Sequence, residues 1–177
     1  MDVGHQVADA TAGSEALHLI TNSSAKIVQR LGNTPEALIA SLNMRAVVIT
    51  KHGDFSVLRV QERPDPPPPG PGQVRVAVHA AGVNFADHLA RVGLYPDAPK
   101  PPVVVGYEVA GIIEAVGDGV DTARVGERVF AGTRFGGYAE IVDVRAADAV
   151  PLPESLTFEQ GAAIPVNYST AWAALHG

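Results

Sequence analysis

The sequence has 177 residues, of which 46% are hydrophobic and 18% are charged, so the chain can bury a core of ordinary size. Its formal net charge is −6 and it has no basic run, which argues against nucleic acid as its main partner. The absence of cysteine excludes disulfides, thiolate nucleophiles and cysteine-ligated zinc. Because no apolar run is long enough to span a bilayer and no secretory leader is recognisable, we expect a cytoplasmic protein without a membrane span.

The first 43 residues differ in character from the rest of the chain. Residues 1–13 are small and polar without a hydrophobic period, which predicts disorder. Apolar residues at helical spacing before Gly32, and a helix start at Thr34-Pro35, then predict two short amphipathic helices. We therefore expect residues 1–43 to be an extension that packs on the main domain or on a partner, or that has no selected role.

From residue 44 to residue 177 the pattern is typical of one domain made of short strands. Two buried strands are predicted within residues 103–117, on either side of a Tyr-Glu pair that is flanked by glycines. Clean alternation along residues 73–80 predicts a strand with one face exposed to water. The other predicted strands cover residues 45–50, 56–62, 127–131 and 138–142.

Helices are predicted at two places. Residues 84–92 form a short helical pattern that Gly93 ends. Thr157 and Gln160 have the spacing of a capping box, and the helix after them is interrupted by Pro165 before a last helix that Asn167 could cap. The predicted fold class is thus mainly β with short helices (α+β), built on a partly open β-barrel.

Five stretches occur in a fixed order: Ala-Gly-Val-Asn-Phe-Ala-Asp at 81–87, Gly-Leu-Tyr-Pro at 93–96, Val-Gly-Tyr-Glu with Ala-Gly within 105–111, Val-Gly-Glu-Arg-Val at 125–129, and Leu-Thr-Phe-Glu-Gln-Gly-Ala-Ala at 156–163. Together they resemble the catalytic, GroES-like (chaperonin-10-like) domain of the medium-chain dehydrogenase/reductase superfamily. The likeness runs from residue 44 to about residue 176 and is nearest to the zinc-independent quinone oxidoreductases.

This resemblance implies a reaction without zinc. Zinc-dependent alcohol dehydrogenases carry a Gly-His-Glu motif, whereas this chain has Gly106-Tyr107-Glu108 at that place. A phenol with a pKa near ~10 is a poor zinc ligand at neutral pH, so we expect no metal site.

The resemblance also implies that a nucleotide-binding domain follows the catalytic domain. Residues 157–177 match the start of the helical segment between the two domains, and no G-x-G-x-x-G motif occurs in the sequence. We expect the C-terminal helices to lead towards a Rossmann domain that this chain lacks, and the chain alone to be incomplete.

Three residues match family positions that contact the cofactor. The amide of Asn84 would lie near the nicotinamide, Tyr95 would line the cleft, and Thr170 would contact the cofactor from the bridging helix. Each has a structural alternative: a helix N-cap for Asn84, a turn aromatic over the barrel mouth for Tyr95, and ordinary helix packing for Thr170.

Tyr107 is the candidate catalytic residue, as a hydrogen-bond donor to a substrate carbonyl. The alternative, which we favour, is a packed tyrosine beside a structural Glu108. Leu89 stands where some quinone reductases have a tyrosine, so that catalytic role does not transfer. Asp87, His88 and His79 could act as acids or bases, but solvated helix and strand faces explain them better.

The resemblance implies hydride transfer from NADPH to a small-molecule quinone or α,β-unsaturated carbonyl compound (an enone). The alternative is a non-catalytic barrel, or a truncated product, that acts by association with itself or with a partner. Exposed apolar surface on the last helix would favour such a homo-oligomer.

Overall fold

The computed structural model describes residues 43–176, and the predictions for residues 1–42 lie outside this range. Seven strands occur in the described part: β1 Asn43–Ile49, β2 Leu58–Pro64, β3 Gln73–Ala81, β4 Glu108–Val116, β5 Arg128–Gly132, β6 Ile141–Arg145 and β7 Val150–Pro151. Three α-helices accompany them: α1 Phe85–Val92, α2 Phe158–Ala162 and α3 Ser169–His176. The predicted class, mainly β with short helices, is confirmed. The boundary between the extension and the domain stays a prediction.

The strands form two antiparallel sheets. β1 and β2 make a two-stranded hairpin, and the other five strands have the spatial order β6-β3-β4-β5-β7. Single bridges join β1 to the rest of the protein, from Ala46 to Ala139 and from Ile49 to Val103. The sheets are not closed into a barrel, so the arrangement is the partly open one that the sequence predicts.

The main core lies on one face of the five-stranded sheet. β-branched side chains fill it because they pack well on a pleated surface. Six of them are at most 1% exposed: Val74, Val76, Val78, Val109, Ile113 and Val129. β3 and β4, which carry five of these residues, are also neighbours in the centre of the sheet and support the site described below.

The prediction that one face of β3 is exposed is wrong for the second half of the strand. Ala77 and His79 are only 6% and 9% exposed. The register with β4 shifts between Val78 and Ala80, so His79 is an extra residue of the kind found in a β-bulge. A bulge breaks the alternation of faces, and α2 packs over this end of the strand.

Residues 103–105 and 138–140 do not form the strands predicted for them. Instead, the backbone N–H groups of residues 136, 137 and 138 donate to the carbonyls of residues 104, 106 and 105. Gly106 has a φ of 107°, and a Cβ there would lie 2.7 Å from the backbone nitrogen of Tyr138. This close, irregular pairing requires glycine and cannot continue as a sheet ladder.

The C-terminal segment confirms the capping box and corrects the prediction for Asn167. The backbone N–H of Thr157 donates to Gln160 Oε1 at 2.9 Å, and the backbone N–H of Gln160 donates to Thr157 Oγ1 at 3.3 Å. After α2 the chain makes a π-helical turn, Ile164–Tyr168, which runs directly into α3. Asn167 therefore lies inside this turn and does not cap a separate helix. No helix within residues 43–176 has the length and apolarity needed to cross a bilayer.

Candidate functional site

Glu108, the first residue of β4, is the centre of the most connected polar cluster in the described region. Its side chain is fully buried. Oε1 accepts hydrogen bonds from the side-chain amides of Asn84 (3.0 Å) and Asn167 (2.5 Å). Oε2 accepts from the backbone N–H groups of Val166 (2.8 Å) and Asn167 (3.4 Å). Four donors replace the water that a buried carboxylate loses, so the charge is well solvated by the protein itself.

The Glu108 cluster brings together two of the predicted cofactor-contacting segments. Asn84 stands at the N-cap of α1, as its structural alternative expects, and its side chain also reaches Glu108. Thr170 lies in the first turn of α3 and is exposed. It follows the Glu108-bound Asn167 by three residues, so the same carboxylate fixes both segments. The contacts of Asn84 and Thr170 with a cofactor stay predictions.

Tyr95 and Tyr107 belong to a second cluster, which is aromatic. The Tyr107 ring lies 5.9 Å from the Tyr95 ring in an edge-on arrangement and 5.4 Å from the Phe135 ring, measured between centroids. The Tyr107 hydroxyl is buried, and no group in residues 43–176 makes a well-formed hydrogen bond to it. Burial, with a smaller contribution from the nearby Tyr95, raises the pKa of Tyr107 to about 12. The phenol is therefore protonated at neutral pH and can act as a donor but not as a base.

Asp87 is buried, which corrects the expectation of a solvated helix face. It is 6% exposed and accepts three hydrogen bonds: from the Asn84 backbone N–H (2.8 Å), the Gly106 backbone N–H (3.1 Å) and the Tyr138 hydroxyl (2.7 Å). Burial is the main cause that raises the pKa of Asp87. The residue ties the start of α1 to the Gly106 turn. Of the three acid–base candidates only His88 is exposed.

His79, at the β3 bulge, is also buried and packs against α2. The His79 ring stacks on the Phe158 ring with 4.3 Å between centroids. The Arg128 guanidinium lies 4.6 Å from the centroid of the Phe158 ring. Burial lowers the pKa of His79, and the positive charge of Arg128 lowers it further, against a small opposite effect of Glu159. The folded state therefore resists protonation of this imidazole.

The buried histidine predicts a pH-dependent stability. Because the unfolded chain binds a proton near the ordinary histidine pKa of about 6.5 and the folded chain does not, stability is retained above that pH. It is lost progressively as the pH falls towards the lower pKa of the folded state. Urea unfolding measures the free energy of unfolding at pH 7.5 and at pH 5.5. The decrease between these two pH values should be smaller for His79→Gln than for the parent protein. Equal losses in the two proteins would contradict this assignment.

The chemistry of Tyr107 and Glu108 makes both residues poor zinc ligands. The Tyr107 phenol stays protonated up to a pKa of about 12, whereas a phenol binds zinc only after it loses its proton. Both oxygens of Glu108 already accept hydrogen bonds. Within residues 43–176, no group of three or more histidine, aspartate or glutamate side chains is placed to share a metal ion.

The sequence does not mark Asn167 as a partner of Glu108. Asn167 was expected to cap a helix and Glu108 to be structural, whereas the side-chain amide of Asn167 donates a hydrogen bond to Glu108 Oε1, 59 positions earlier in the chain. The available signal was Pro165, which has no N–H and is well placed at the start of a helical turn. The N–H groups that follow such a proline need an acceptor from elsewhere.

Residues 70–154 match the alcohol dehydrogenase GroES-like domain family. The chain is 45% identical over 133 residues to the rat synaptic vesicle membrane protein VAT-1 homolog, covering 75% of this chain and 33% of that protein. It is 44% identical over 133 residues to rat quinone oxidoreductase, covering 75% of this chain and 40% of that protein. The chain thus spans about a third to two fifths of the length of these curated relatives.

A solved structure has the same fold. Escherichia coli quinone oxidoreductase, in complex with NADPH, matches with a TM-score of 0.68 and 34% identity, over 75% of this chain and 40% of that chain. The family match, the two curated relatives and the shared fold together identify the relationship. The chain belongs to the medium-chain dehydrogenase/reductase superfamily, in which it corresponds to the N-terminal part of the quinone oxidoreductase-like proteins.

Proposed function

We propose that residues 43–176 form the substrate-side half of a zinc-independent oxidoreductase that reduces a quinone or an α,β-unsaturated carbonyl compound with NADPH. The observation that carries the proposal is the Glu108 cluster. It holds the start of α1 and the π-helical turn before α3 together. Tyr107, which precedes Glu108 in the chain, belongs to the aromatic cluster. Similarity to quinone oxidoreductases, one of them solved with NADPH, supports the choice of acceptor and cofactor.

The bound cofactor would supply the hydride. The residues of this chain would orient the cofactor and the substrate and stabilise the charge that develops on the substrate. We assign Asn84 and Thr170 to contacts with the cofactor and Tyr95 to the wall of the cleft. The protonated Tyr107 phenol would donate to the substrate carbonyl oxygen as negative charge develops on it. Since the Tyr107 hydroxyl is buried in the structure, this role requires a rearrangement that opens the hydroxyl to the substrate.

We further propose that the nucleotide-binding side of the cleft comes from outside residues 43–176. No G-x-G-x-x-G turn occurs in the sequence to hold a pyrophosphate at a helix N-terminus. The expected location of such an enzyme is the cytoplasm.

A binding and turnover experiment tests this function. The 177-residue chain alone should show no micromolar NADPH binding by fluorescence titration. A chimaera, in which residues 43–176 replace the equivalent part of rat quinone oxidoreductase, should oxidise NADPH with 1,4-benzoquinone, and added EDTA should not change the rate. Tyr107→Phe in this chimaera should lower kcat by about 100-fold or more, the range found when one oxyanion donor is removed.

Two results would contradict the proposal. A folded chimaera that binds NADPH but reduces neither the quinone nor an enone would refute the assigned activity. Tight NADPH binding by the 177-residue chain alone would refute the division of the cleft between two parts.

Exposed apolar side chains favour a second candidate, a protein that acts by association. Tyr168, Trp172 and Leu175, in the π-helical turn and α3, are 67%, 66% and 79% exposed. Such a surface is typical of an interface. A stable oligomer in light scattering, combined with an inactive chimaera, would favour this candidate over the oxidoreductase.

A further inference from the structure

The Glu108 carboxylate occupies the start of the π-helical turn in the way that an N-terminal cap would. Pro165 has no N–H, and the next two N–H groups, of Val166 and Asn167, belong to a first turn that has no acceptor within the helix. Both donate to Glu108 Oε2. A negative charge at this end of a helical segment is also favoured by the peptide dipoles. The cap thus comes from a residue 58 positions earlier in the chain, on β4.

The same carboxylate connects this turn to α1. Glu108 Oε1 accepts from the side chains of both Asn84, before α1, and Asn167, in the turn. Gly82 provides the space, because a Cβ at that position would overlap the Glu108 carboxylate. The carboxylate therefore sits between the two segments: Oε2 holds the π-helical turn, and Oε1 holds both the turn and the start of α1.

We propose that Glu108 is a positioning residue: its buried carboxylate fixes the π-helical turn and α3 against the start of α1, and thereby sets Thr170 relative to Asn84. The functional meaning of this geometry, a defined surface for the nicotinamide cofactor, rests on the function proposed above. The positioning itself does not. Without the carboxylate, the turn loses its cap and α3, whose residues are all exposed, keeps little that holds it in place.

Amide hydrogen exchange, resolved by residue with NMR in the 177-residue chain, tests the positioning directly. Glu108→Met keeps the length of the side chain and removes both acceptors. We expect exchange at Val166 and Asn167 to become about tenfold faster or more, which corresponds to the loss of a hydrogen bond worth about 1.4 kcal/mol. The amide of Gly117, which donates to the Gln73 carbonyl at 2.8 Å, is the internal control and should change less than twofold.

Two milder variants separate positioning from general destabilisation. Glu108→Gln keeps an acceptor of the same shape and should restore most of the protection at Val166 and Asn167. Asn167→Ala removes one donor without burying an unpaired charge, so it keeps the experiment decisive if Glu108→Met does not fold. It should speed exchange in residues 166–168 several-fold and lower the fluorescence anisotropy of Trp172, the single tryptophan of the chain.

Unchanged exchange at Val166 and Asn167 in a folded Glu108→Met protein would overturn the proposal. So would an Asn167→Ala protein in which these amides and that of Gly117 exchange as in the parent. Because no cofactor or substrate is present in these measurements, their outcome is independent of NADPH binding and of turnover by the chimaera. A failure of the proposed function would therefore be distinguishable from a failure of the positioning role.

Discussion

Gly111→Ala is expected to destabilise the folded protein by about 3 kcal/mol or more, at the upper end of the range for overpacked cores. Gly111 lies in β4 and is buried, and a Cβ there would overlap the backbone carbonyl oxygen of Ala77 in the neighbouring strand β3. It would also lie 2.9 Å from Cγ1 of Val76. Because the first obstacle is backbone in the centre of the sheet, no side-chain rotation can relieve it.

Gly132→Ala is the matched control for this substitution. Gly132 ends β5, and a Cβ there would meet only Cβ of Pro165 at 3.8 Å and the Tyr107 carbonyl oxygen at 4.0 Å, which are ordinary contacts. Alanine also reduces the conformational entropy of the unfolded chain, so the control should stay within about 0.5 kcal/mol of the parent or gain slightly. Urea unfolding followed by circular dichroism measures both variants, and similar midpoints for the two would show that β3 and β4 are not this close.

Asp87→Ala is the second substitution with a large expected effect, about 3–5 kcal/mol of lost stability. It removes a buried carboxylate and leaves three donors without their acceptor: the N–H groups of Asn84 and Gly106 and the hydroxyl of Tyr138. Each unpaired buried donor carries its own desolvation cost, so the sum exceeds the loss of one ordinary hydrogen bond. The start of α1 and the Gly106 turn would separate.

Two further variants calibrate the Asp87 result in the same unfolding experiment. Tyr138→Phe removes only one of the three donors, the Tyr138 hydroxyl, and leaves no other group unpaired. It should lower the free energy of unfolding by about 1 kcal/mol. Asp97→Ala changes an exposed aspartate in the loop after Tyr95 and should have an effect within about 0.5 kcal/mol of zero. If Asp87→Ala were no more harmful than Asp97→Ala, the buried network would be refuted.

The local patterns of the sequence predicted most elements of the fold correctly. The β3 and β4 strands, α1 with its Gly93 end and the capping box of α2 each depend on neighbours within a few positions. For the same reason the fold class and the family could be recognised from short ordered motifs. Their spacing along the chain carries that information without any contact between them.

The errors all involve partners that are distant in sequence. The backbone carbonyls of residues 104–106 accept hydrogen bonds from the N–H groups of residues 136–138. This irregular pairing replaces the strands predicted at both places. A bulge at His79 broke the alternation of β3 and buried a face expected in water. Asp87, similarly, was expected on the exposed face of α1. In the structure it is buried and accepts a hydrogen bond from Tyr138, 51 positions away.

By itself the sequence determined the short β-rich elements, the motif at Gly106-Tyr107-Glu108 and the membership of the superfamily, because periodicity, turn chemistry and motif spacing are properties of the chain alone. Only the tertiary structure decided that the Glu108 carboxylate joins the start of α1 to the turn before α3, and that Asp87 is buried. Hydrogen bonds between residues 24 and 59 positions apart leave no local pattern, since the requirement that a buried polar group be paired is met in space.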